Sequence, residues 1–540
     1  MRLVLGAAVF LAVAANGAFF RNVLGTYGQS GTALLQTVSL GLVLLCALVL
    51  LLTLVSARRV LKPALIVLFF VSAATAYFMD TWNVIVDQDM LQNVAETNSA
   101  EAADLITARL GVYLLLLGLL PSALVWRLRL RPQPLRAAIR ARLLVTGSAL
   151  AGIVVLVALS TAFYASFARE HKELRYYTNP LTPVYAAWKF ARTRLERSDA
   201  GPLTPLGRDA HISGADPDRE LVILVVGETA RADRFSLNGY GRETNPKLRS
   251  RDVISFTRVT ACGTATETAV PCMFARERQD DFDRAASRTT ENALDVLAHA
   301  GVNILWRDNN SDSKGVADRI AYEDFRDPQH NPSCDAECRD EGLLAGLDSY
   351  IETHPSGDIL IVLHQMGSHG PAYHKRYPPR FRVFEPTCDT AQLDQCTSEE
   401  IDNSYDNTIV YTDYFLSRAI DLLRRYDAEF DTVMLYVGDH GESLGEHGVY
   451  LHGLPYWIAP EAQVHVPMVL WLGKHYDDAD AEALRAIRDT PMSHDNLFHT
   501  LLGVFEVESA VYDDSLDILQ RSRRFAAERA RTSAQDTSAP

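Results

Sequence analysis

The sequence predicts a transmembrane domain of five helices followed by an exported α/β domain. Long apolar stretches, nearly free of charge, occupy the chain up to residue 167, and none recurs beyond it. From Glu220 onward, short β-prone runs alternate with helical segments, which is typical of a mostly parallel sheet with helices on both faces. Six of the seven cysteines lie in this second part, as expected for a domain in an oxidising compartment.

Five apolar stretches approach the ~20 residues that a helix needs to cross a bilayer. So many runs in succession would leave a soluble domain without a polar face, so we expect membrane spans rather than buried core helices. For the first stretch a cleaved signal peptide is the alternative, because Arg2 provides a short basic start and small residues follow. The stretches cover residues 3–20, 32–56, 63–79, 109–126 and 143–167.

The loops between the spans differ in charge. Basic residues concentrate between spans two and three and between spans four and five, whereas residues 80–104 contain several acids and neither Lys nor Arg. By the positive-inside rule the two basic loops are cytoplasmic, which places everything beyond Phe167 on the exported side. The net charge of −15 argues against nucleic acid as a partner.

Composition divides the exported part further. A helix over 183–195 with aromatic and basic residues suits a membrane interface, and a helix packed on a soluble domain is the alternative. Residues 200–219, rich in Gly, Pro and Asp, are typical of a linker. We therefore expect a transmembrane domain at 1–167, an interfacial helix and linker at 168–219, a catalytic α/β domain at 220–523 and a disordered tail at 524–540. The clearest strands are predicted at 221–226, 302–306, 358–363, 432–437 and 464–472.

The exported cysteines are spaced as three local pairs. An even set of cysteines in an oxidising compartment indicates disulfides, although six cysteines allow many pairings. Metal binding by Cys334 and Cys338 is the alternative for one pair, but it would suit a reducing compartment. We expect bonds between Cys262 and Cys272, between Cys334 and Cys338, and between Cys388 and Cys396.

A segment rich in carboxylates and imidazoles directly follows the predicted strand 432–437. Open α/β sheets bind their ligands at the carboxyl ends of strands, and an Asp–His pair offers the O and N donors that Zn²⁺ takes. A charged, glycine-rich surface turn is the alternative, and we favour metal binding. The polar residues of this segment, 439–453, are Asp439, His440, Glu442, Glu446, His447 and His452.

Three other sites offer polar groups to the same edge of the sheet. Glu228 follows the strand 221–226, and His369 follows the strand 358–363. Thr264 and Thr266 lie in the loop between Cys262 and Cys272, where a threonine hydroxyl is a good nucleophile only beside a base or a metal. Taken singly, these groups have ordinary explanations as a loop acid, a structural histidine and a turn that caps a helix.

Together, these pieces resemble the phosphoethanolamine transferases that modify outer-membrane lipids of Gram-negative bacteria, including the mobile polymyxin-resistance enzymes. The resemblance covers the spans, the runs at 225–233 and 237–246, the threonine loop, the His369 stretch and residues 439–453. It implies an alkaline-phosphatase- or sulfatase-like fold for the exported domain. It also implies an inner-membrane protein whose catalytic domain lies in the periplasm, and it implies no protein partner.

The resemblance implies roles for particular residues. It implies one zinc held by Glu228, Thr266, Asp439 and His440, with Thr266 rather than Thr264 as the nucleophile. It implies that His369 and His452 face the substrate phosphate or a second zinc, and that Lys314 lies in the phosphoethanolamine pocket. Three further residues are implied to lie near the ethanolamine head group: Asn93, Thr97 and Glu101. Glu442 and Glu446 are expected to support the site or lie at the surface, and His447 has no implied role.

The implied reaction transfers phosphoethanolamine from phosphatidylethanolamine to a phosphate of lipid A through a phospho-threonine intermediate, and releases diacylglycerol. The cationic product would give polymyxin resistance. The alternatives are transfer to Kdo or heptose of the lipopolysaccharide core, a sister transferase that uses phosphatidylglycerol, a phosphodiesterase of the same superfamily, and a non-catalytic lipid sensor. A sulfatase is excluded, because its nucleophile is made from Cys or Ser and not from Thr.

Overall fold

The computed structural model describes residues 1–96, 105–161, 163–164, 167, 171–197, 202–212, 218–335 and 337–536. The chain forms two compact units that divide near residue 196. The helix Leu181–Arg197, which we expected beside the linker, therefore belongs almost entirely to the first unit.

Helices build the first unit. Among its described residues, four helices are long and apolar enough to cross a membrane, and a fifth candidate is a pair of helices bent by 54°. The four are Gly31–Leu54, Leu61–Trp82, Ala108–Arg127 and Leu135–Leu159, and the bent pair is Arg2–Ala14 with Gly17–Tyr27. The shorter helices are Gln88–Glu96, the 3₁₀ turn Lys172–Tyr177 and Leu181–Arg197.

The first predicted span, 3–20, is broken rather than continuous. Asn16 stands at the break, where its Nδ2 donates to the carbonyl oxygens of Leu11 at 2.9 Å and Asn179 at 2.8 Å. Asp80 then accepts a 2.6 Å hydrogen bond from the backbone N–H of Ala18, so a carboxylate from another helix satisfies the start of the second half. A Cβ on Gly17 would lie 2.8 Å from Asp80 Oδ1, which explains the glycine there.

An eight-stranded sheet forms the centre of the second unit. In chain order its strands are β1 (Glu220–Gly227), β2 (Ile254–Thr260), β3 (Asn303–Asp308), β4 (Ala321–Asp324), β5 (Ile359–His364), β6 (Asp431–Gly438), β7 (His465–Leu472) and β8 (Met492–Ser493). Their spatial order is β8-β2-β7-β6-β1-β5-β3-β4. Strand β7 runs antiparallel to both neighbours, and the other pairs are parallel. The predicted mostly parallel α/β sheet is confirmed, and the short strands β4 and β8 and the strand β2 were not anticipated.

Two apolar cores cover the two faces of this sheet. The side chains of β1 alternate between them: Val222, Leu224 and Val226 pack in one core, and Leu221, Ile223 and Val225 pack in the other. Because both faces are buried, the strand is a continuous apolar run instead of an alternating one. The helices around the sheet are Thr266–Met273, Arg284–Ser287, Ala293–His299, Leu347–Glu352, Ser398–Leu423, Glu461–Val464, Ala481–Ile487, Asp495–Val504 and Ile518–Asp536. Four short strands form two small two-stranded sheets: His211–Ile212 with Val507–Glu508, and Ser443–Leu444 with Tyr450–Leu451.

We expected a disordered tail at 524–540, and the structure corrects this expectation. The helix Ile518–Asp536 extends through most of it, and residues 537–540 lie outside the described part. Composition is misleading here because only one face of the helix is apolar: Ile518 and Leu519 are buried, and Phe525, about two turns on, packs against the same core.

All three expected disulfides are present. They join Cys262 to Cys272, Cys334 to Cys338 and Cys388 to Cys396. Cys46, in the first unit, is a free thiol.

Candidate active site

Two central strands in register bring two carboxylates together. Residues 220–227 of β1 pair in parallel with residues 431–438 of β6, and Gly227 lies opposite Gly438. The residues that follow are Glu228 and Asp439, which are 1% and 0% exposed. Equal strand ends thus place two acids side by side at the carboxyl edge of the sheet, where α/β folds bind ligands.

His440 and Thr266 complete a compact polar cluster. One ligand atom each from Glu228, Asp439 and His440 lie within 4.8 Å of one another. The hydroxyl of Thr266 donates to Glu228 Oε2 at 2.8 Å. Oγ1 of Thr266 also lies 3.2 Å from His440 Nε2. His440 Nδ1 lies 2.9 Å from the carbonyl oxygen of Gly441, which fixes the ring and directs Nε2 towards the cluster.

The threonine loop is shaped by the Cys262–Cys272 disulfide and by a close turn. Thr266 is the first residue of the helix Thr266–Met273. A Cβ on Gly263 would lie 2.8 Å from the backbone nitrogen of Ala269, so the loop requires glycine there to fold onto the helix. Thr264 donates instead to the carbonyl oxygen of Leu454 at 2.7 Å and is turned away from the acids. Of the two candidate hydroxyls, only that of Thr266 reaches Glu228.

The electrostatics of the cluster suit a cation. Burial and the charge of Glu228 raise the pKa of Asp439 well above its usual range. Asp439 Oδ2 is buried and has no hydrogen-bond donor among the described residues, which is costly for an isolated carboxylate. Two carboxylates, an imidazole nitrogen and a hydroxyl form a donor set that suits Zn²⁺, and the charge of a divalent ion would offset both acids. The residues therefore fit the implied metal.

The two other predicted histidines lie beside this cluster. The ring centroid of His452 is 4.4 Å from that of His440 and 5.5 Å from that of His369. Burial alone would raise the pKa of Glu228, but the facing His440, His369 and His452 lower it. Glu442 is fully buried, and its Oε2 lies 3.3 Å from His452 Nδ1, so it orients that ring. Glu442 therefore supports the site from the interior rather than lying at the surface.

Sequence reasoning missed Asn310 and Arg231. Asn310 follows β3 and donates to Glu228 Oε2 at 2.8 Å; its position after a strand, like that of Glu228, was the available signal. Arg231 is 5% exposed and donates to the carbonyl oxygen of Glu442 at 3.0 Å and to Glu446 Oε1 at 2.6 Å. It therefore ties the loop after β1 to the segment 439–453.

The other predicted site residues make no described contact with Glu228, Thr266, Asp439 or His440. Lys314 is 6% exposed in a left-handed conformation (φ 55°), and its Nζ donates to the carbonyl oxygen of Ser311 at 2.9 Å. His447 is exposed, also at positive φ. Asn93 lies in the helix Gln88–Glu96, but its side chain, Thr97 and Glu101 are outside the described residues.

Comparisons with known proteins point in one direction. The sulfatase family profile matches residues 220–507, and a profile described as phosphoethanolamine transferase EptA/EptB matches residues 44–195. Phosphatidylethanolamine transferase Mcr-2 of Escherichia coli is 41% identical, with coverage of 95% of this chain and 96% of the relative. Phosphoethanolamine transferase EptA of Salmonella typhimurium is 39% identical, with 96% of each chain covered. The solved structure of the integral membrane protein lipooligosaccharide phosphoethanolamine transferase A from Neisseria meningitidis superposes with a TM-score of 0.92 at 32% identity, with 96% of this chain and 98% of that chain covered.

Proposed function

This chain belongs to the phosphoethanolamine transferase family, and we propose that it transfers phosphoethanolamine from phosphatidylethanolamine to a phosphate of lipid A. It is an inner-membrane protein with a periplasmic catalytic domain. The observation that carries the proposal is the buried Thr266 hydroxyl, hydrogen-bonded to Glu228 beside Asp439 and His440. An alcohol in such a position is prepared to act as a nucleophile.

Glu228, Thr266, Asp439 and His440 would hold the zinc, which when bound neutralises negative charge and lowers the pKa of a coordinated hydroxyl. Glu228 accepts the hydrogen bond of Thr266 at Oε2, so it holds the hydroxyl proton and orients Oγ1. Asn310 donates to the same Oε2 and keeps that carboxylate in place.

We propose a cycle of two displacements at phosphorus. Oγ1 of Thr266 attacks the phosphorus of phosphatidylethanolamine, the bond from phosphorus to the glycerol oxygen breaks, and diacylglycerol leaves with a proton. An oxygen of the lipid A phosphate then attacks the phosphorus of the phosphoethanolamine on Thr266, the bond from phosphorus to Oγ1 breaks, and the proton of the acceptor phosphate passes to Oγ1, which regenerates the hydroxyl. Because phosphoryl transfer depends mainly on positioning and on neutralised charge, His369, His452 and Lys314 are proposed to bind the phosphoryl oxygens.

The donor and acceptor are proposed on different grounds. A relative described as a phosphatidylethanolamine transferase supports that lipid as donor, and one that modifies lipooligosaccharide supports a glycolipid acceptor. Asn93, Thr97 and Glu101 are proposed to contact the ethanolamine head group, and a membrane anchor suits a reaction between two lipids because it raises their effective concentration at the site.

The proposal is tested by expressing the chain in cells that lack such enzymes and recording mass spectra of lipid A and of the core. We expect phosphoethanolamine on lipid A with the native chain and none with Thr266→Ala. Modified core sugars on unmodified lipid A would move the acceptor to Kdo or heptose. Release of free phosphoethanolamine without any modified lipid would identify a phosphodiesterase.

A further inference from the structure

One arginine joins the two segments that carry Thr266 and Lys314. Arg284 is the first residue of the helix Arg284–Ser287, and its side chain is 14% exposed. Its Nε donates to the carbonyl oxygen of Glu267 at 2.6 Å. Its Nη2 donates to Glu267 Oε1 at 2.7 Å and to the carbonyl oxygen of Lys314 at 3.2 Å. A single guanidinium therefore contacts both the residue that follows Thr266 and the backbone of the loop that carries Lys314.

The carboxylate of Glu267 is held mainly by this contact. Glu267 is 4% exposed and lies in the first turn of the helix Thr266–Met273, where the helix dipole favours an acid. Its Oε1 also accepts from Arg288 at 3.2 Å, whereas its Oε2 is buried and has no hydrogen-bond partner among the described residues. Separation from Arg284 would leave a buried charge poorly compensated, so the pair stays closely associated.

The loop that carries Lys314 requires support from outside itself. Lys314 and Gly315 both have a left-handed backbone, with φ of 55° and 92°, and this conformation is strained for a lysine. The backbone N–H of Lys314 donates to Asp312 Oδ1 at 2.6 Å within the loop, whereas Arg284 donates to its carbonyl oxygen from another element. The Nζ of Lys314 donates to the carbonyl oxygen of Ser311 at 2.9 Å. The position of that Nζ therefore depends on how the loop backbone is held.

We propose that Arg284 is a positioning residue for the first displacement, because it fixes the start of the helix Thr266–Met273 relative to the Lys314 loop. The inference rests on the function proposed above, in which Thr266 is the nucleophile and Lys314 binds a phosphoryl oxygen. Attack requires the hydroxyl oxygen, the phosphorus and the neighbouring positive charge to be aligned, and an error of about 1 Å can lower the rate about 100-fold. A guanidinium suits this task because its rigid planar fork directs several hydrogen bonds at once, which the ammonium of a lysine does not.

The contacts of Arg284 distinguish a positioning role from direct substrate binding. Arg284 reaches Thr266 through Glu267, and it reaches Lys314 through the backbone of that residue. Its loss should therefore slow the reaction of bound donor and leave donor binding nearly unchanged. A residue that bound the donor directly would instead raise the donor concentration needed for half-maximal rate.

The inference is tested by the rate at which phosphoethanolamine appears on Thr266. Intact-mass measurements follow this adduct on the full, zinc-loaded chain in detergent, over a series of phosphatidylethanolamine concentrations. For Arg284→Met we expect the rate at saturating donor to fall ~10- to 100-fold, and the half-saturating donor concentration to change less than ~3-fold. Arg284→Lys keeps the charge but loses the fork, and it should remain at least ~5-fold slower than the native chain.

Arg307→Met is the matched control for the loss of a well-bonded arginine. Arg307 also donates to one carboxylate and two backbone carbonyls, at 2.7, 2.9 and 2.6 Å, which belong to Glu323, Leu343 and Ala345. It lies over Phe325, in the apolar core on the opposite face of the sheet from Val270 of the helix Thr266–Met273. Arg307→Met should lose stability as Arg284→Met does, measured by melting curves, but form the adduct at nearly the native rate.

Glu267→Gln breaks the same connection from the other side. The double variant Glu267→Gln with Arg284→Met should be no slower than Arg284→Met alone, because the two residues act as one unit. If Arg284→Met does not fold, Arg284→Lys and Glu267→Gln carry the same comparison.

The inference is overturned if the folded Arg284 variants react at the native rate, if the loss appears as a raised half-saturating donor concentration, or if Arg307→Met loses as much rate. It is also overturned if the losses of Glu267→Gln and Arg284→Met add. A native chain that forms no adduct on Thr266 would overturn the proposed function, and this inference with it.

Discussion

The hydroxyl of Thr266 donates a 2.8 Å hydrogen bond to Oε2 of Glu228, and the two residues are 8% and 1% exposed. Thirty-eight positions separate them in the chain, and each reaches the contact from a different element: a helix start for Thr266 and a strand end for Glu228. A hydroxyl and a carboxylate held together away from water need little rearrangement before the proposed attack.

Substitution of Thr266 should remove the chemistry and leave the fold intact. For Thr266→Ala we expect at least a ~10³-fold loss of phosphoethanolamine transfer, as is typical when a nucleophile is deleted, and no protein adduct. Intact-mass measurement after incubation with phosphatidylethanolamine checks the adduct. The matched control is Thr264→Ala, which removes the hydrogen bond to Leu454 and should cost only about 1 kcal/mol of stability. An adduct that persists in Thr266→Ala would contradict the proposed nucleophile.

Metal removal should abolish turnover, and zinc should restore it. Asp439→Asn should reduce bound zinc at least ~10-fold, because an anionic oxygen donor is replaced by a neutral amide. Metal content by mass spectrometry on the purified chain measures this directly. Asp402→Asn, which changes an acid paired with Arg234 at 2.7 Å, is the control and should retain zinc. Full activity of the metal-free chain would refute the donor set.

Acid should weaken the fold through His494. This buried side chain bridges two walls of the site: its Nδ1 accepts from the backbone N–H of Cys262 at 3.3 Å, and its Nε2 donates to the carbonyl oxygen of Gly438 at 2.9 Å. Burial lowers its pKa to about 4, so the unfolded chain binds one more proton than the folded chain between pH 6.5 and 4. Stability conferred by His494 is therefore complete above pH 6.5 and falls by up to about 1.4 kcal/mol per pH unit below it.

His494→Gln isolates this effect, because an amide can accept from one backbone group and donate to the other without titrating. Melting temperatures of the variant should fall less than those of the native chain as the pH is lowered from 7 to 4.5. At pH 8 the two proteins should melt within a few degrees of each other. Parallel melting curves across the whole range would show that His494 is not the group responsible.

Loss of Arg231 should loosen the segment 439–453. Arg231→Met removes the hydrogen bonds to Glu442 and Glu446 and should cost about 2–4 kcal/mol, since several charge-assisted contacts of a buried guanidinium disappear together. Differential scanning fluorimetry and zinc content report on the fold and the site. Arg251→Met, at a more exposed pair with Asp421, should cost at most about 1 kcal/mol. Equal losses in both variants would mean that Arg231 has no special role.

Local sequence patterns predicted the membrane helices, the sheet and the edge at which the polar residues meet. Runs such as 221–226 are apolar because both faces are buried, and Glu228 and Asp439 each follow such a run, so position in the chain indicated position in space. The Thr266 loop was different, because its residues alone are equally typical of a helix-capping turn, and only the family resemblance singled out the hydroxyl.

The features that were missed depend on partners distant in the chain. The residues near Asn16 do not indicate that Asp80 accepts a hydrogen bond at the start of the next helix. The first span was therefore expected to be continuous. Asn310 resembles any polar residue after a strand until Glu228 is seen 2.8 Å away. In the tail, average composition concealed one apolar helix face that packs on a core built from other segments.

The equal length of β1 and β6 sets the distance between the two ends of the central sheet. Each strand has eight residues and their ends coincide, which at about 3.3 Å per residue fixes a span of some 26 Å between the acid that begins each strand and the acid that follows it. Deleting one residue from either strand would shift its acid at one end and turn its side chains to the opposite face. The flanking loops can therefore vary in length among relatives, whereas insertions and deletions inside these two strands should be absent from any chain that keeps the activity.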